Sequence, residues 1–232
     1  MGGVWADGPL LAVDTETTGV DPATDRIVEA AAVTIGPGGE VLHAWSNVVD
    51  PGVDIPEGAA NVHGITTERA RAEGCSPVVA LRALGELIAG FSGPVVIYNA
   101  RFDWPLLITE ADRHDLIWPD APLLDPLVLD KHLDRYRRGG RKLVDVARHY
   151  GVTLADDDAH GARADATAAG QIMRRMLDLN PAIGATRLDD LQVWQQRWSD
   201  DQRASFADYR RRTSDPNFTE TLGWPIPTGE AA

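Results

Sequence analysis

The chain has 232 residues, of which 35 are acidic and 22 are basic, so its formal net charge is −13. A hydrophobic content of 44% is sufficient for the core of one α/β domain, with or without a tail. The acidic balance argues against bulk electrostatic binding of nucleic acid, although bound cations would reverse the charge locally. The single cysteine, Cys75, excludes an intrachain disulfide and a thiolate zinc cluster.

Neither a membrane-spanning segment nor a secretory signal is visible in the sequence. No run of apolar residues is long enough to span a bilayer. The N-terminal residues lack the basic region and apolar core of a secretory signal. We therefore expect a cytoplasmic protein that has no membrane partner.

The first fifty residues predict three strands, at 9–15, 25–36 and 40–50. Short connections separate them, and the glycine- and proline-rich run at 36–39 is a turn signal. Strands joined in this way form an antiparallel meander. Residues 51–66 are irregular and predict a loop and a short helix.

From residue 76 onwards, helices alternate with short strands. Residues 76–91 have apolar residues at helical spacing, and Ser76 and Pro77 suit the N-cap and the first helical position. The remaining elements are a buried fourth strand at 93–100, a helix from 101, a strand leading into a helix at 121–133, a helix at 141–151 closed by Gly151, and an alanine-rich helix at 162–179. We therefore predict an α/β domain over residues 1–180.

Residues 181–232 predict a helical C-terminal extension whose end is partly disordered. Leu188, Leu191, Trp194 and Trp198 recur at three- and four-residue steps and form one helical stripe. Two interpretations are open: the helix packs on its own domain, or it docks a partner.

Two carboxylates end the first strand. Asp14 and Glu16 are two residues apart, so their side chains point to the same face of the sheet. Buried carboxylates in close proximity repel each other unless they are protonated or bridged by cations. Mg²⁺ and Mn²⁺ prefer such oxygen ligands, so the pair is a candidate metal site.

Three further residues strengthen this interpretation. Asp103 follows the fourth strand near a helix start, where the alternative is a helix-capping carboxylate. Asp165 stands on a helix face that is otherwise alanine, methionine and isoleucine. His160 precedes that helix on a loop, and its alternative interpretation is a solvated residue.

The runs "DTETTG", "NARFD" and "HGARAD", in this order and spacing, resemble the three motifs of the DEDDh 3′–5′ exonucleases. The branch that is resembled most is the proofreading (epsilon) subunit of bacterial DNA polymerase III. The likeness covers residues 9–179. It implies an RNase H-like fold, with a mixed five-stranded sheet that is flanked by helices.

The resemblance also implies roles for individual residues. Asp14, Glu16, Asp103 and Asp165 would hold two divalent cations, Mg²⁺ or Mn²⁺, and His160 would be the general base. The residues expected to contact the terminal nucleotide are Thr15, Thr17, Thr18, His63, Ile65, Asn99 and Phe102. For Ile65 and Phe102, core packing is the alternative. The chain departs from the family pattern at Tyr98, where histidine is frequent, and at Pro126, after Asp125.

These observations predict a metal-dependent 3′–5′ exonuclease that releases nucleoside monophosphates, with the 3′ end of single-stranded DNA as the favoured substrate. DNA is preferred over RNA on the resemblance alone, so an exoribonuclease is an alternative. Residues 186–212 are the expected contact for a DNA polymerase or another protein. A non-catalytic binding module on the same fold and a metal-dependent phosphatase are the competing classes.

Overall fold

The computed structural model describes residues 5–154 and 161–230. A single sheet organises the domain, in the order β3-β2-β1-β4-β5. Its strands are β1 (Leu10–Thr17), β2 (Ile27–Ile35), β3 (Val41–Val48), β4 (Val95–Val96) and β5 (Leu123–Leu124). The strands β1, β2 and β3 pair antiparallel, whereas β4 and β5 continue the sheet in parallel. The predicted meander and the mixed five-stranded sheet are confirmed.

Both faces of β1 are buried. Leu10 and Ala12 face one hydrophobic cluster, and Leu11 and Val13 face the other. A strand that is covered on both sides reads as a continuous apolar run, which is why the polar residues of β1 stand out at its end.

Helices cover the two faces of the sheet. They are α1 (Glu57–His63), α2 (Thr67–Glu73), α3 (Pro77–Ala89), α4 (Ala100–Arg113), α5 (Pro126–Leu133), α6 (Leu143–Tyr150), α7 (Ala162–Leu179), α8 (Pro181–Ala185) and α9 (Leu188–Thr213). The small residues of α7 allow it to lie directly on β1 and β2. At Gly170, an added Cβ would come within 2.5 Å of the Ile35 side chain.

Most predicted boundaries agree with the structure. Pro77 is the first residue of α3, and Gly151 ends α6 in the left-handed conformation at φ 68°. Ser76 occupies the N-cap of α3, but its side chain makes no capping hydrogen bond. Within the described residues, no helix has both the length and the apolar character needed to cross a membrane.

The predicted fourth strand, at 93–100, is too long. Only Val95–Val96 form β4, because Asn99 adopts the left-handed conformation at φ 64° and α4 begins at Ala100. Asparagine tolerates this conformation better than most residues. The resulting sharp turn brings the first turn of α4 towards the end of β1.

Helix α9 covers the edge of the sheet. The Gln192 side chain accepts a hydrogen bond from the Leu123 N–H (2.9 Å) and donates one to the Leu123 carbonyl (2.7 Å). Gln195 likewise accepts from the Asp125 N–H (2.8 Å). These amides occupy backbone groups that an unpaired edge strand would leave open to another chain. The contacts favour the interpretation in which α9 packs on its own domain.

The C-terminal end also contacts the domain. Two short strands, β6 (Thr221–Leu222) and β7 (Gly229–Glu230), pair antiparallel. Trp224 between them is only 6% exposed and packs in the cluster that contains Leu11 and Val13. Residues 221–230 thus contain a strand pair and a buried tryptophan, whereas the partial disorder predicted for the end of the chain stays a prediction.

The Asp125 carboxylate joins these parts. It accepts hydrogen bonds from the backbone N–H groups of Asn99 (3.0 Å), Ala100 (3.0 Å) and Leu127 (2.9 Å), and from the Trp224 indole (3.3 Å). Burial raises the pKa of Asp125, and these donors oppose that rise. Pro126, the second departure from the family pattern, is compatible with this arrangement. Proline has no backbone N–H, so at the first position of α5 it leaves no donor without an acceptor.

Replacement of Trp224 tests the packing of the C-terminal end. We expect Trp224→Ala to lower the free energy of unfolding by about 3–5 kcal/mol, because it leaves a cavity in the core. The control is Trp194→Ala, since Trp194 is 42% exposed. Its expected cost is below about 1 kcal/mol. Urea unfolding followed by circular dichroism gives both values, and equal values would contradict the packing.

Candidate active site

Three carboxylates converge at the end of β1. One ligand oxygen from each of Asp14, Glu16 and Asp165 lies within 4.8 Å of the other two. Alternation along β1 directs the first two side chains to one face, as the sequence predicts. Asp165 joins them from the first turn of α7, which packs on β1 and β2.

Asp103 lies beside this group, in the first turn of α4. Its carboxylate accepts a hydrogen bond from the Thr15 hydroxyl (2.6 Å) and is 4% exposed. The N-cap of α4 is Asn99, so the alternative in which Asp103 caps the helix is not what the structure shows. Thr15 thus holds the fourth acidic residue against the strand that carries the first two.

The carboxylates bind protons unusually tightly. Burial, followed by repulsion from Asp165, Glu29 and Asp103, raises the pKa of Glu16 to about 8. Burial also raises the pKa of Asp103 to about 7, against the opposing hydrogen bond from Thr15. The pKa of Asp14 is well above its usual value, again through burial first and then through its acidic neighbours. Such a cluster suits a divalent cation, which would replace the protons.

Glu29 is a fifth carboxylate here, and the sequence analysis missed it. It lies on β2 directly opposite Glu16, and it accepts a hydrogen bond from the Ala162 N–H (3.1 Å). Gly161, the N-cap of α7, has no side chain to do this. A carboxylate at a helix N-terminus also interacts favourably with the helix dipole. The available signal was an acidic residue inside the apolar run 27–33.

A cleft of about 410 Å³ lies over the carboxylates. Of the predicted nucleotide contacts, Thr15, Asn99 and Phe102 line it together with the four acidic residues. Tyr98 and Arg141, which were not predicted as contacts, line it too. The Tyr98 hydroxyl donates a hydrogen bond to the Arg141 carbonyl (2.6 Å). The tyrosine that stands where the family often has histidine thus connects the residues before α4 with the segment before α6.

The other predicted contacts lie outside the lining of this cleft. The Thr17 hydroxyl donates to the Gly19 carbonyl (2.6 Å), and the Thr18 hydroxyl donates to the Asp25 carboxylate (2.8 Å). Both hydroxyls therefore stabilise the turn between β1 and β2. Their contact with a nucleotide stays a prediction.

His63 is the last residue of α1, and Ile65 lies on the connection between α1 and α2. His63 is 7% exposed, and its Nδ1 accepts a hydrogen bond from the Ile65 N–H (3.2 Å). Burial lowers the pKa of His63, so the neutral imidazole is favoured. Ile65 packs with Val28, Ile55 and Ala70, as the core-packing alternative predicts. A nucleotide contact stays a prediction for both residues.

His160, the predicted general base, lies outside the described residues. The described chain resumes at Gly161, directly before α7. The role of His160 therefore stays a prediction.

The domain is thus a mixed five-stranded sheet with acidic residues gathered at the end of its central strand. A family model described as an exonuclease, RNase_T, matches residues 11–173. The chain belongs to this exonuclease family.

Similar proteins include two bacterial relatives whose names refer to DNA polymerase III. The chain is 28% identical over 194 residues to the PolC-type DNA polymerase III of Thermotoga maritima, covering 81% of this chain and 13% of that protein. It is 32% identical over 184 residues to a DNA polymerase III subunit epsilon-like protein of Rhodobacter capsulatus, covering 76% of this chain and 25% of that protein. The chain thus spans a quarter or less of the length of these relatives.

Solved structures confirm the fold. Escherichia coli exonuclease I in complex with a dA16 oligonucleotide has a TM-score of 0.68 and 22% identity, covering 77% of this chain and 42% of that chain. The zinc-bound form of its complex with single-stranded DNA gives the same TM-score and coverage. The RNase H-like fold that the motifs implied is therefore confirmed.

The raised pKa values make a prediction about stability. Because the folded carboxyls hold protons that the unfolded chain releases above about pH 4, metal-free stability falls as the pH rises through about 8. We expect the Tm without metal to be lower at about pH 8.5 than at about pH 5.5, and Mg²⁺ or Mn²⁺ to raise it at the higher pH. Scanning calorimetry measures both effects.

Asp14→Asn is the variant to compare with wild type when the Tm is measured against pH. It removes one charge from the cluster, so the fall of Tm with pH becomes shallower. A wild-type Tm that is independent of pH and of added cation would contradict the electrostatic account of the cluster.

The Glu29 contact gives a second prediction. Without an acceptor for the Ala162 N–H, the first turn of α7 loosens and Asp165 is held less well. We expect Glu29→Ala to weaken Mn²⁺ binding about tenfold, as loss of a residue that orients a ligand does. Glu29→Gln, which keeps an acceptor oxygen, should weaken it less.

Isothermal titration with Mn²⁺ measures these affinities. The control is Asp178→Ala, since Asp178 is an exposed carboxylate near the far end of the same helix. Equal Mn²⁺ affinities for Glu29→Ala and wild type would contradict a role for Glu29 in positioning Asp165.

Proposed function

We propose that the chain is a metal-dependent 3′–5′ exonuclease of the DEDDh type, which releases nucleoside monophosphates from a 3′ end. The observation that carries this proposal is the convergence of Asp14, Glu16 and Asp165 in one cleft, with Asp103 beside them. Family membership supplies the exonuclease class. The polarity and the mechanism are part of the proposal.

The acidic cluster supports the proposal of two divalent cations. Carboxylate oxygens are the preferred ligands of Mg²⁺ and Mn²⁺. Burial, and then repulsion from the neighbouring carboxylates, raises the pKa of Glu16 to about 8, and a cation would relieve that repulsion. Asp14, Glu16, Asp103 and Asp165 would hold the two cations. When bound, such cations activate a water and stabilise the leaving 3′ oxygen of a phosphodiester.

The protein's own side chains would divide the remaining tasks. Thr15 positions Asp103, and Glu29 positions the start of α7. His160 would accept the proton of the attacking water, since imidazole titrates close to neutral pH. Phe102 would stack on the terminal base, an interaction that every base allows, and Asn99 would contact the nucleotide backbone.

DNA is the favoured substrate. The relatives named above are DNA polymerase III proteins, and exonuclease I was solved with a DNA oligonucleotide. These are properties of the similar proteins, and they support DNA here by analogy. RNA is the alternative substrate, and a cytoplasmic location stays a prediction.

A primer-shortening assay tests the function. A 5′-labelled DNA oligonucleotide, with a 3′-blocked copy as control, is incubated with Mg²⁺, Mn²⁺ or EDTA. We expect a ladder that shortens from the free 3′ end and is absent in EDTA. Asp165→Asn should lower the rate by about 10³-fold or more, because it weakens the cation site. Asp178→Asn, on the exposed side of the same helix, should keep the wild-type rate.

Each competing class predicts a different result. If no cation supports shortening, the proposal of exonuclease activity is wrong, and a non-catalytic binding module is favoured. Hydrolysis of a free phosphomonoester, with indifference to a 3′ end, would indicate a phosphatase. Faster shortening of an RNA copy would replace DNA with RNA as the substrate.

A DNA polymerase is the proposed protein partner of residues 186–212. The PolC-type relatives, which are DNA polymerases by name, support this context. Val193 and Trp194 are the exposed apolar residues in the first half of α9. If the proposal holds, adding the replicative polymerase of the same organism alters the shortening rate, and Trp194→Ala removes that change.

A further inference from the structure

One segment of this acidic chain is rich in basic residues. Residues 131–142 contain six of the 22 lysines and arginines and only one acidic residue, Asp134. The segment includes the end of α5 and the connection to α6. A protein of net charge −13 therefore carries a locally positive stretch at residues 131–142.

This segment forms one wall of a groove of about 460 Å³, and α9 forms the other. Lys131, Arg135, Arg137 and Arg141 line the first wall. Asp201, on α9, is the acidic residue among the lining side chains. The groove therefore has a net positive lining.

Hydrogen bonds hold the basic wall in place. Arg137 donates to the buried Asp130 carboxylate (2.9 Å), and Arg141 donates to the same carboxylate and to the Asp130 carbonyl (3.0 Å). One carboxylate thus neutralises only part of the charge of two guanidinium groups. Arg135 reaches across the groove and donates to the Ser205 hydroxyl of α9 (3.3 Å).

The α9 wall is aromatic. Trp198 stacks on His132, with ring centroids 3.7 Å apart and planes 15° from parallel. Phe206 and Tyr209 are 44% and 56% exposed. A groove that combines positive charge with exposed aromatic faces suits single-stranded nucleic acid, because phosphates pair with the charges and bases stack on the rings.

The groove meets the carboxylate cleft at Arg141, which lines both. A strand whose 3′ end lies over Asp14 and Asp165 would pass Arg141 and enter the groove. The charge of this route is opposite to that of the protein as a whole, and it complements a phosphate backbone.

We propose that the groove between residues 131–141 and α9 binds the single strand on the 5′ side of the nucleotide being removed. This inference rests on the proposed exonuclease function, because that function places the 3′ end in the adjoining cleft. The groove adds affinity that grows with strand length, without contacting the bond that is cleaved.

Binding as a function of strand length tests this inference. Anisotropy in EDTA, where a metal-dependent nuclease is idle, gives Kd for labelled single strands of about 4 and about 16 nucleotides. We expect wild type to bind the longer strand at least about tenfold more tightly. In the double variant Arg135→Gln, Tyr209→Leu, that ratio should fall towards one.

Salt dependence provides a second readout. The slope of log Kd against log salt for the longer strand should decrease by about 0.7 for each phosphate contact that the variant loses. The control is Arg82→Ala, an exposed arginine of α3, outside the groove and the cleft. It should keep the wild-type ratio and slope. Both replaced groove residues are exposed, and a wild-type Tm confirms that the variant is folded.

The two proposals fail in different ways. Wild-type shortening of DNA, together with an unchanged length ratio in the groove variant, would overturn the groove and leave the exonuclease. Absence of shortening, together with length-dependent binding that the variant loses, would overturn the exonuclease and leave the groove as a strand-binding surface. An unchanged ratio combined with binding of an acidic protein would assign the groove to that class of partner.

Discussion

Repulsion among the carboxylates at the end of β1 is the constraint on which the domain's architecture depends. Asp14, Glu16 and Asp165 lie within a few ångströms, and burial makes their charges still more unfavourable without a cation. Such a cluster persists only when rigid elements hold it. A central strand that is buried on both faces supplies two of the carboxylates, and a helix packed directly on the sheet through Gly170 supplies the third.

A second buried carboxylate extends this rigidity to the C-terminal end. Asp125 is satisfied by N–H donors from the starts of α4 and α5 and from Trp224. Trp224 therefore donates to the same carboxylate as the start of α4, the helix that carries Asp103. The extension is therefore part of what positions the cleft, in addition to covering the edge of β5.

The sequence predicts those site residues whose positions follow from strand alternation or from the face of a single helix. Asp14 and Glu16 follow from strand alternation, and Asp165 from its place on an apolar helix face. Glu29 was missed because its role requires the register that sets it opposite Glu16, and a single sequence does not reveal strand register. The left-handed backbone of Asn99 does not follow from the apolar run before it, because asparagine tolerates this conformation without requiring it. The groove unites residues some sixty positions apart, which no periodicity indicates.

The net charge of −13 argues against bulk binding of nucleic acid, but the uneven distribution of the charges allows binding at one place. At physiological salt, screening acts over about 8 Å, so a nucleic acid responds to the charges close to it and hardly to the total. The negative surface then disfavours indiscriminate contact, while the basic stretch at 131–142 offers one favourable approach. That stretch adjoins the acidic cleft at Arg141. Under the proposed function, a phosphate backbone would approach along this stretch, and its 3′ end would reach the acidic cleft.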